Sequence, residues 1–244
     1  DIAVGDEVIA MTGHGAMAEE VIANRGQIVK MAPGMPFDVA AGFTMTYGTS
    51  HHALKQRGAL KPGETLLVLG AAGGVGLTAV ELGKVMGAKV IAAASSDEKL
   101  ALCREMGADE VINYATEDLK ERIKALTNGR GAPVIIDMDF STTATWLPQG
   151  VLAPEGQLIC YGSNAAETPL SFRSLLINAY QLKFFIVYEL NAADRARSLA
   201  DLNDLLSQKK LVHGIGPRFS LDQIVAAHEC VEAGRDIGNV VIDI

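Results

Sequence analysis

The stretch Val68-Leu-Gly-Ala-Ala-Gly-Gly-Val-Gly76 interrupts an apolar run, Thr65–Leu69, with small residues before a helical pattern resumes at Leu77. Glycines at a strand-to-helix turn weaken a fold unless the backbone must bend tightly or let another body come close. The spacing Ala71-x-Gly73-x-x-Gly76, with Gly70 and Gly74 beside it, fits a turn that cradles a dinucleotide pyrophosphate. One position permits the bend, the next admits the phosphate, and the third lets the helix pack on its strand. Ala71 departs from the strict G-x-G-x-x-G pattern, so a close-packed turn that binds nothing is the competing reading. The strand, turn and helix around it favour the cradle. A helix beginning near Val75 offers its free N–H groups and positive dipole end to the phosphates.

The end of the next strand, "VIAAASSDEK", decides which dinucleotide fits. A carboxylate there would hold the 2′-hydroxyl of NAD. Ser95 and Ser96 stand in its place, and the first acid, Asp97, reads as a helix-entry residue. Ser95, Ser96 and Lys99 make a polar cradle with one cation, which suits a 2′-phosphate and hence NADPH. The serines also read as a helix N-cap and Lys99 as a solvated charge; the roles are compatible, because a helix N-terminus is itself an anion site.

No other chemistry competes. Cys103, Cys160 and Cys230 are far apart, with neither a paired framework nor metal-ligand spacing, and a reducing, cytosolic setting is expected. His51 and His52 are adjacent on a helix and point about 100° apart rather than at one ion; one is expected to be partly buried and the other exposed. His14, His213 and His228 lack ligand partners, and no metal is expected. No nucleophile elbow is present. Hydride transfer needs none, since the cofactor carries that chemistry.

The elements that would position these residues follow from the rhythm of the chain. From residue 63 strands alternate with helices: Thr65–Leu69, Lys89–Ala94, Glu110–Asn113, Val134–Asp137, Gln157–Tyr161 and Phe184–Tyr188, with helices such as Val75–Met86 and Asp97–Met106 between them. Near-continuous apolar strands in that order predict an α/β fold with a doubly wound parallel sheet, order 3-2-1-4-5-6. Before it, "GDEVIAM", "TGHGAMAEEVIAN" and "GQIVKMAPG" read as short strands; after it, "LVHGIGPRFSL" and "GNVVIDI" return to that style. The expected organisation is 1–47 as part of a β-rich lobe, 48–210 as the dinucleotide-binding domain and 211–244 as a return to the first lobe. A net charge of −8 argues against nucleic-acid and anionic-membrane partners, and no apolar run is long enough to span a bilayer.

The ordered segments "VGDEV", "GAMAEEV", "TMTYGTSHHAL", "LKPGETLLVLGAAGGVGLTAVELGK", "MGADEVINY", "LAPEGQLICYGS" and "IGNVVIDI" resemble the medium-chain dehydrogenase/reductase superfamily, in its zinc-independent quinone oxidoreductase branch. The resemblance implies a GroES-like catalytic lobe, with more of that lobe ahead of "VGDEV". It places Ala72, Gly73, Gly74 and Val75 against the pyrophosphate, and Ser95, Ser96, Lys99 and Tyr114 around the 2′-phosphate. It sets Thr49, Gly162, Ser163, Ile186, Val187 and Tyr188 at the nicotinamide and its ribose. A further contact is expected near Ser141, where "DMDFSTTATW" replaces a glycine-rich stretch. Tyr114 also reads as an ordinary half-buried tyrosine and Thr49 as a helix cap. Zinc members need a ligand where Met45 stands, and a thioether is a poor Zn²⁺ ligand. The implied activity is NADPH-dependent hydride transfer to a quinone or α,β-unsaturated carbonyl by a cytoplasmic homodimer paired through the edge near Phe184–Val187. Enoyl-thioester reduction and a non-catalytic NADPH-binding scaffold are the alternatives. No catalytic acid is assigned; Tyr47 is a candidate by position.

Overall fold

The computed structural model describes residues 2–234 and 237–244. The chain opens with β1 (Val8–Ala10) and β2 (Ile28–Lys30), an antiparallel pair, and then α1 (Phe37–His51). The sheet domain follows with β3 (Thr65–Leu69), α2 (Gly74–Val85), β4 (Lys89–Ala94), α3 (Asp97–Glu105), β5 (Glu110–Asn113), α4 (Leu119–Leu126) and β6 (Ala132–Asp137). It continues through α5 (Phe140–Thr143), β7 (Leu152–Cys160), α6 (Phe172–Asn178), β8 (Gln181–Phe184) and α7 (Ala192–Ser207). Last come β9 (Ile215–Ser220), α8 (Ile224–Glu232) and β10 (Asn239–Asp243), with β9 and β10 paired in parallel.

Six strands form one parallel sheet in the order β5-β4-β3-β6-β7-β8, which is the expected 3-2-1-4-5-6. Helices cover both faces because the strands are apolar at both alternating sets of positions. Leu66 and Val68 of β3 face α2 and α1, while Leu67 and Leu69 face the core shared with Leu119 and Ile123 of α4. A Cβ on Gly83 of α2 would come within 2.7 Å of the Leu66 side chain, so this helix lies unusually close to β3. The reversal of winding falls between β3 and β6, and ligands of such sheets bind outside the strand ends at that point.

Three expectations need correction. Residues 12–24 form no strand among the described residues; Gly13 and Gly15 take left-handed φ of 77° and 79°, which breaks the alternation a ladder needs. The last sheet strand ends at Phe184 rather than running to Tyr188, because β7 ends at Cys160 and offers Phe185 one final carbonyl. Phe185 then turns inward between the rings of His52, at 4.7 Å, and Tyr161, at 6.0 Å, leaving Phe184, Ile186 and Tyr188 exposed. His51 and His52 are both buried, each 1% exposed. α1 runs straight into a π-helical turn, His52–Arg57, that tucks both rings under α7 and Phe185. α1 also continues unbroken through residue 48.

A polar seam binds α1 to α2. Ser50 Oγ donates to the Val75 carbonyl at 2.8 Å, Thr78 Oγ1 lies 3.1 Å from the Thr46 carbonyl, and Tyr47 donates to Glu81 Oε2 at 2.6 Å. The other Glu81 oxygen accepts from the Val212 amide, and Tyr47 Oη is 2.9 Å from His213 Nδ1. Burial raises the Glu81 carboxyl above the ordinary carboxylate range, against the lowering pull of these donors, and lowers the His213 imidazole. Burial and the Glu81 charge raise the Tyr47 phenol. A carboxyl whose folded pKa is raised stabilises the fold fully below its unfolded pKa and loses that contribution as pH rises through the folded value. Glu81→Gln keeps an acceptor for Tyr47 but cannot ionise. The melting temperature of the variant relative to the parent is therefore expected to rise as pH increases above about 4.5, read by thermal unfolding at each pH.

Candidate functional site

The glycine-rich turn lies at the C-terminal edge of the sheet, between β3 and α2. Gly73 is the helix N-cap, with extended φ −75° and ψ 167° and no side-chain cap. Among the described residues the amides of Gly74, Val75 and Gly76 have no acceptor, as the first turn of a helix leaves its N–H groups free. The glycines serve different ends. A Cβ on Gly76 would overlap the Gly70 carbonyl oxygen, so this residue packs helix on strand. A Cβ on Gly73 would meet nothing nearer than 3.8 Å, so its bareness leaves room on the open side. At Gly74 a Cβ would overlap the amide of Asn239, which also presses on Gly42. Ala72 is buried, and its carbonyl accepts from the Gly238 amide at 2.9 Å. The contact of Asn239 with the turn carried no sequence signal, because it arises from the return of the last strand.

Beyond β4, Ser96 caps α3, its Oγ accepting from the Lys99 amide at 3.3 Å. The Asp97 carboxylate is turned away, accepting from Asn113 Nδ2 at 2.8 Å. Ser95, Ser96 and Lys99 are half-buried, and the Lys99 ammonium donates to the Gly234 carbonyl at 2.6 Å. That bond uses one of its three donors. Tyr114 is 45% exposed and stands on the rim of a cleft of about 580 Å³ with Gly70, Asp137, Met138 and Trp146. The expected neighbours of a 2′-phosphate thus lie at the ends of β4 and β5, with Tyr114 facing open space.

Past β6 the sequence Asp137-Met-Asp139 carries polar groups that sequence reasoning did not single out. Asp137 is 1% exposed, its Oδ2 has no hydrogen-bond partner among the described residues, and burial pushes its carboxyl up to about 6. Asp139 does the reverse: burial acts upward, but hydrogen bonds from Ser141, Thr142 and Asn164 hold it down to about 2. Ser141 Oγ is 2.5 Å from Asp139 Oδ1, so the serine steadies this loop with its hydroxyl. The only hint of these opposed acids in the sequence was D-x-D at a strand end.

Gly162 follows β7, and a Cβ there would overlap the Met138 carbonyl oxygen, so the β6 and β7 loops meet at this glycine. Gly162, Ser163 and Ile186 line a second cleft of about 720 Å³ with Arg57 and Tyr161. Ser163 is exposed and donates to the Ala165 carbonyl at 2.8 Å. Val187 is half-buried and Tyr188 exposed, both in a 3-10 turn. Thr49 is buried inside α1 rather than at its cap, and its hydroxyl donates to the Met45 carbonyl at 2.5 Å. Tyr47 has its proton committed to Glu81.

Among the described residues no group of three or more His, Cys, Asp or Glu could hold a metal. Met45 presents a thioether 4.0 Å from Thr49 Oγ1. His51 Nε2 bonds Asp201 at 3.0 Å, and His52 lies between Gln56 and Arg57.

This arrangement matches known proteins. Residues 74–204 match the zinc-binding dehydrogenase family. A quinone oxidoreductase-like protein 2 of Bos taurus is 32% identical over 98% of this chain and 70% of its own length. A quinone oxidoreductase of Pseudomonas aeruginosa is 32% identical over 98% of this chain and 75% of its own. Among solved structures, the Thermus thermophilus quinone oxidoreductase, determined alone and with NADPH, superposes with a TM-score of 0.88 at 30% identity, covering all of this chain and 78% of that one. A parallel sheet wound in this order, a glycine turn at its switch point and likeness along nearly the whole chain make this protein a member of the quinone oxidoreductase family of medium-chain dehydrogenases/reductases.

Proposed function

We propose that this protein is an NADPH-dependent, zinc-independent oxidoreductase acting on a quinone or an α,β-unsaturated carbonyl. The observation that carries the reading is the pair of features at the dinucleotide turn. Three amides without an acceptor among the described residues stand at Gly74–Gly76, and the first acid after β4, Asp97, is engaged with Asn113. Ala72–Val75 would hold the pyrophosphate, and Ser95, Ser96, Lys99 and Tyr114 the 2′-phosphate side. Gly162, Ser163, Thr49 and Ile186–Tyr188 would border the nicotinamide, with Ser141 acting through Asp139. Bound NADPH supplies a hydride. What the chain adds is position, the exclusion of water, and a phosphate cradle of amides and one ammonium.

The substrate class follows from the donor set. An isolated ketone places nearly full charge on one oxygen, which favours a metal; a quinone or enone spreads it over a conjugated system that hydrogen-bond donors can serve. An enoyl thioester shares this logic, and side-by-side turnover of a quinone, a simple enone and an enoyl thioester separates the readings. NADPH binding with no turnover of any of these would favour a scaffold.

We further assign 1–47 and 211–244 to one lobe and 48–210 to the dinucleotide-binding domain. A homodimer would cover the exposed Phe184 and Ile186 of the sheet edge together with Phe172 and Leu176 of α6. The three cysteines are free, in keeping with the cytoplasm, and among the described residues no helix is long and apolar enough to cross a membrane.

Three outcomes are expected. Turnover of an ortho-quinone or enone with NADPH is unaffected by chelators, and chelator-sensitive oxidation of simple alcohols overturns the reading. Lys99→Ala weakens NADPH by about one to two powers of ten, the worth of a charge-assisted contact, and leaves NADH nearly unchanged. Equal losses for both cofactors would make Lys99 a tether of Gly234 alone. Gly73→Ala folds normally but binds NADPH weakly by fluorescence titration, whereas Gly76→Ala lowers the melting temperature of the apoprotein.

A further inference from the structure

Gly70 is the residue on which the dinucleotide turn closes. Its φ of 62° lies in the left-handed region, its carbonyl accepts from the Gly73 amide at 3.3 Å, and Gly76 packs against that same carbonyl oxygen. The side chain seated on its bare face comes from the loop after β6. A Cβ on Gly70 would lie 2.5 Å from Met138 Sδ and 3.2 Å from Met138 Cγ. The backbone of Met138 is hemmed in by Gly162, which approaches its carbonyl oxygen from β7. The thioether therefore presses on the turn while its residue lines the cleft of about 580 Å³. Of the eight methionines, two are exposed: Met17, at 54%, ahead of α1, and Met138, at 51%.

An accessible thioether is the form that peroxides oxidise, and the sulfoxide is a polar group where an apolar one had packed. We propose that Met138 is a reversible oxidation site, through which hydrogen peroxide lowers the affinity of the glycine turn for NADPH. The sulfur attacks one peroxide oxygen, the O–O bond breaks, an S–O bond forms and water leaves. Sulfur loses two electrons and the peroxide gains them. The added oxygen enlarges the side chain where it already touches Gly70. Gly70 moves with it, and its carbonyl takes along both the Gly73 amide and the packing of Gly76. The site is argued from its own contacts, while its effect on NADPH rests on the cofactor reading above. A quinone substrate supplies the oxidant: dioxygen reoxidises the hydroquinone product to the quinone and is itself reduced to hydrogen peroxide. Futile turnover would then damp the activity that drives it.

The test treats the full chain, without nucleotide, with hydrogen peroxide. Peptide mass spectrometry reads sulfoxide at each methionine, and fluorescence titration reads NADPH affinity. Met17 and Met138 are expected to react ahead of the others, and NADPH to bind about tenfold more weakly. Methionine sulfoxide reductases with dithiothreitol restore the affinity. Met17→Leu loses affinity as the parent does, whereas Met138→Leu has the same affinity before and after treatment. Sulfoxide at Met138 with unchanged affinity, an equal loss in Met138→Leu, or Met138 intact while Met17 reacts overturns the proposal. If the untreated parent does not bind NADPH, the cofactor reading fails, and hydrogen exchange at the Gly73 amide decides the site separately. Faster exchange after oxidation, absent in Met138→Leu, supports it, and unchanged exchange overturns it.

Discussion

The contact on which the rest of the architecture depends is the seam between α1 and α2. A helix that offers its N-terminus to phosphates must be fixed both against its strand and against the lobe that meets the other end of the ligand. Close packing of Gly83 on Leu66 supplies the first. The second comes from Ser50, Thr78 and Thr46, whose hydroxyls and carbonyls cross between the helices, and from Tyr47 on Glu81. Apolar packing alone tolerates small slides along a helix axis. Hydrogen bonds between buried groups do not, because each lost bond leaves a polar atom unsatisfied. The seam therefore fixes the distance from the glycine turn to Thr49.

The edge of the sheet sorts charge in the same local way. Beyond β4 the chain places Ser95 and Ser96 ahead of any acid, the first carboxylate, Asp97, is held by Asn113, and one ammonium stands nearby. Beyond β6 two carboxylates one residue apart have opposite surroundings: three donors surround Asp139, while burial dominates at Asp137. Identical side chains thus differ in acidity through their surroundings alone.

Much of this was legible in the residues. Strand–helix alternation and apolar runs gave the sheet order, because a parallel sheet buried on both faces admits few other patterns. Gly73 and Gly76 could be recognised from their spacing, and the lack of an acid directly at the end of β4 from Ser95 and Ser96. What was not legible depended on distant partners. His52 is buried because Phe185 folds back over it, and nothing near either residue in the sequence announces that contact. Phe185 looked like the middle of an edge strand because apolar runs read alike whether they continue a ladder or turn into a core. Glu81 sits at an ordinary helical position, and its partners Tyr47 and His213 belong to opposite ends of the chain.

Asn239 carries a consequence for how the molecule assembles. It fills the space at Gly42 and Gly74, and the neighbouring Gly238 amide closes on the carbonyl of Ala72. Contacts this remote in sequence form late, after the entropy of closing a very long loop has been overcome. During synthesis the sheet can emerge and pack before β10 does. The glycine turn is then built but unbraced until β10 folds back onto it.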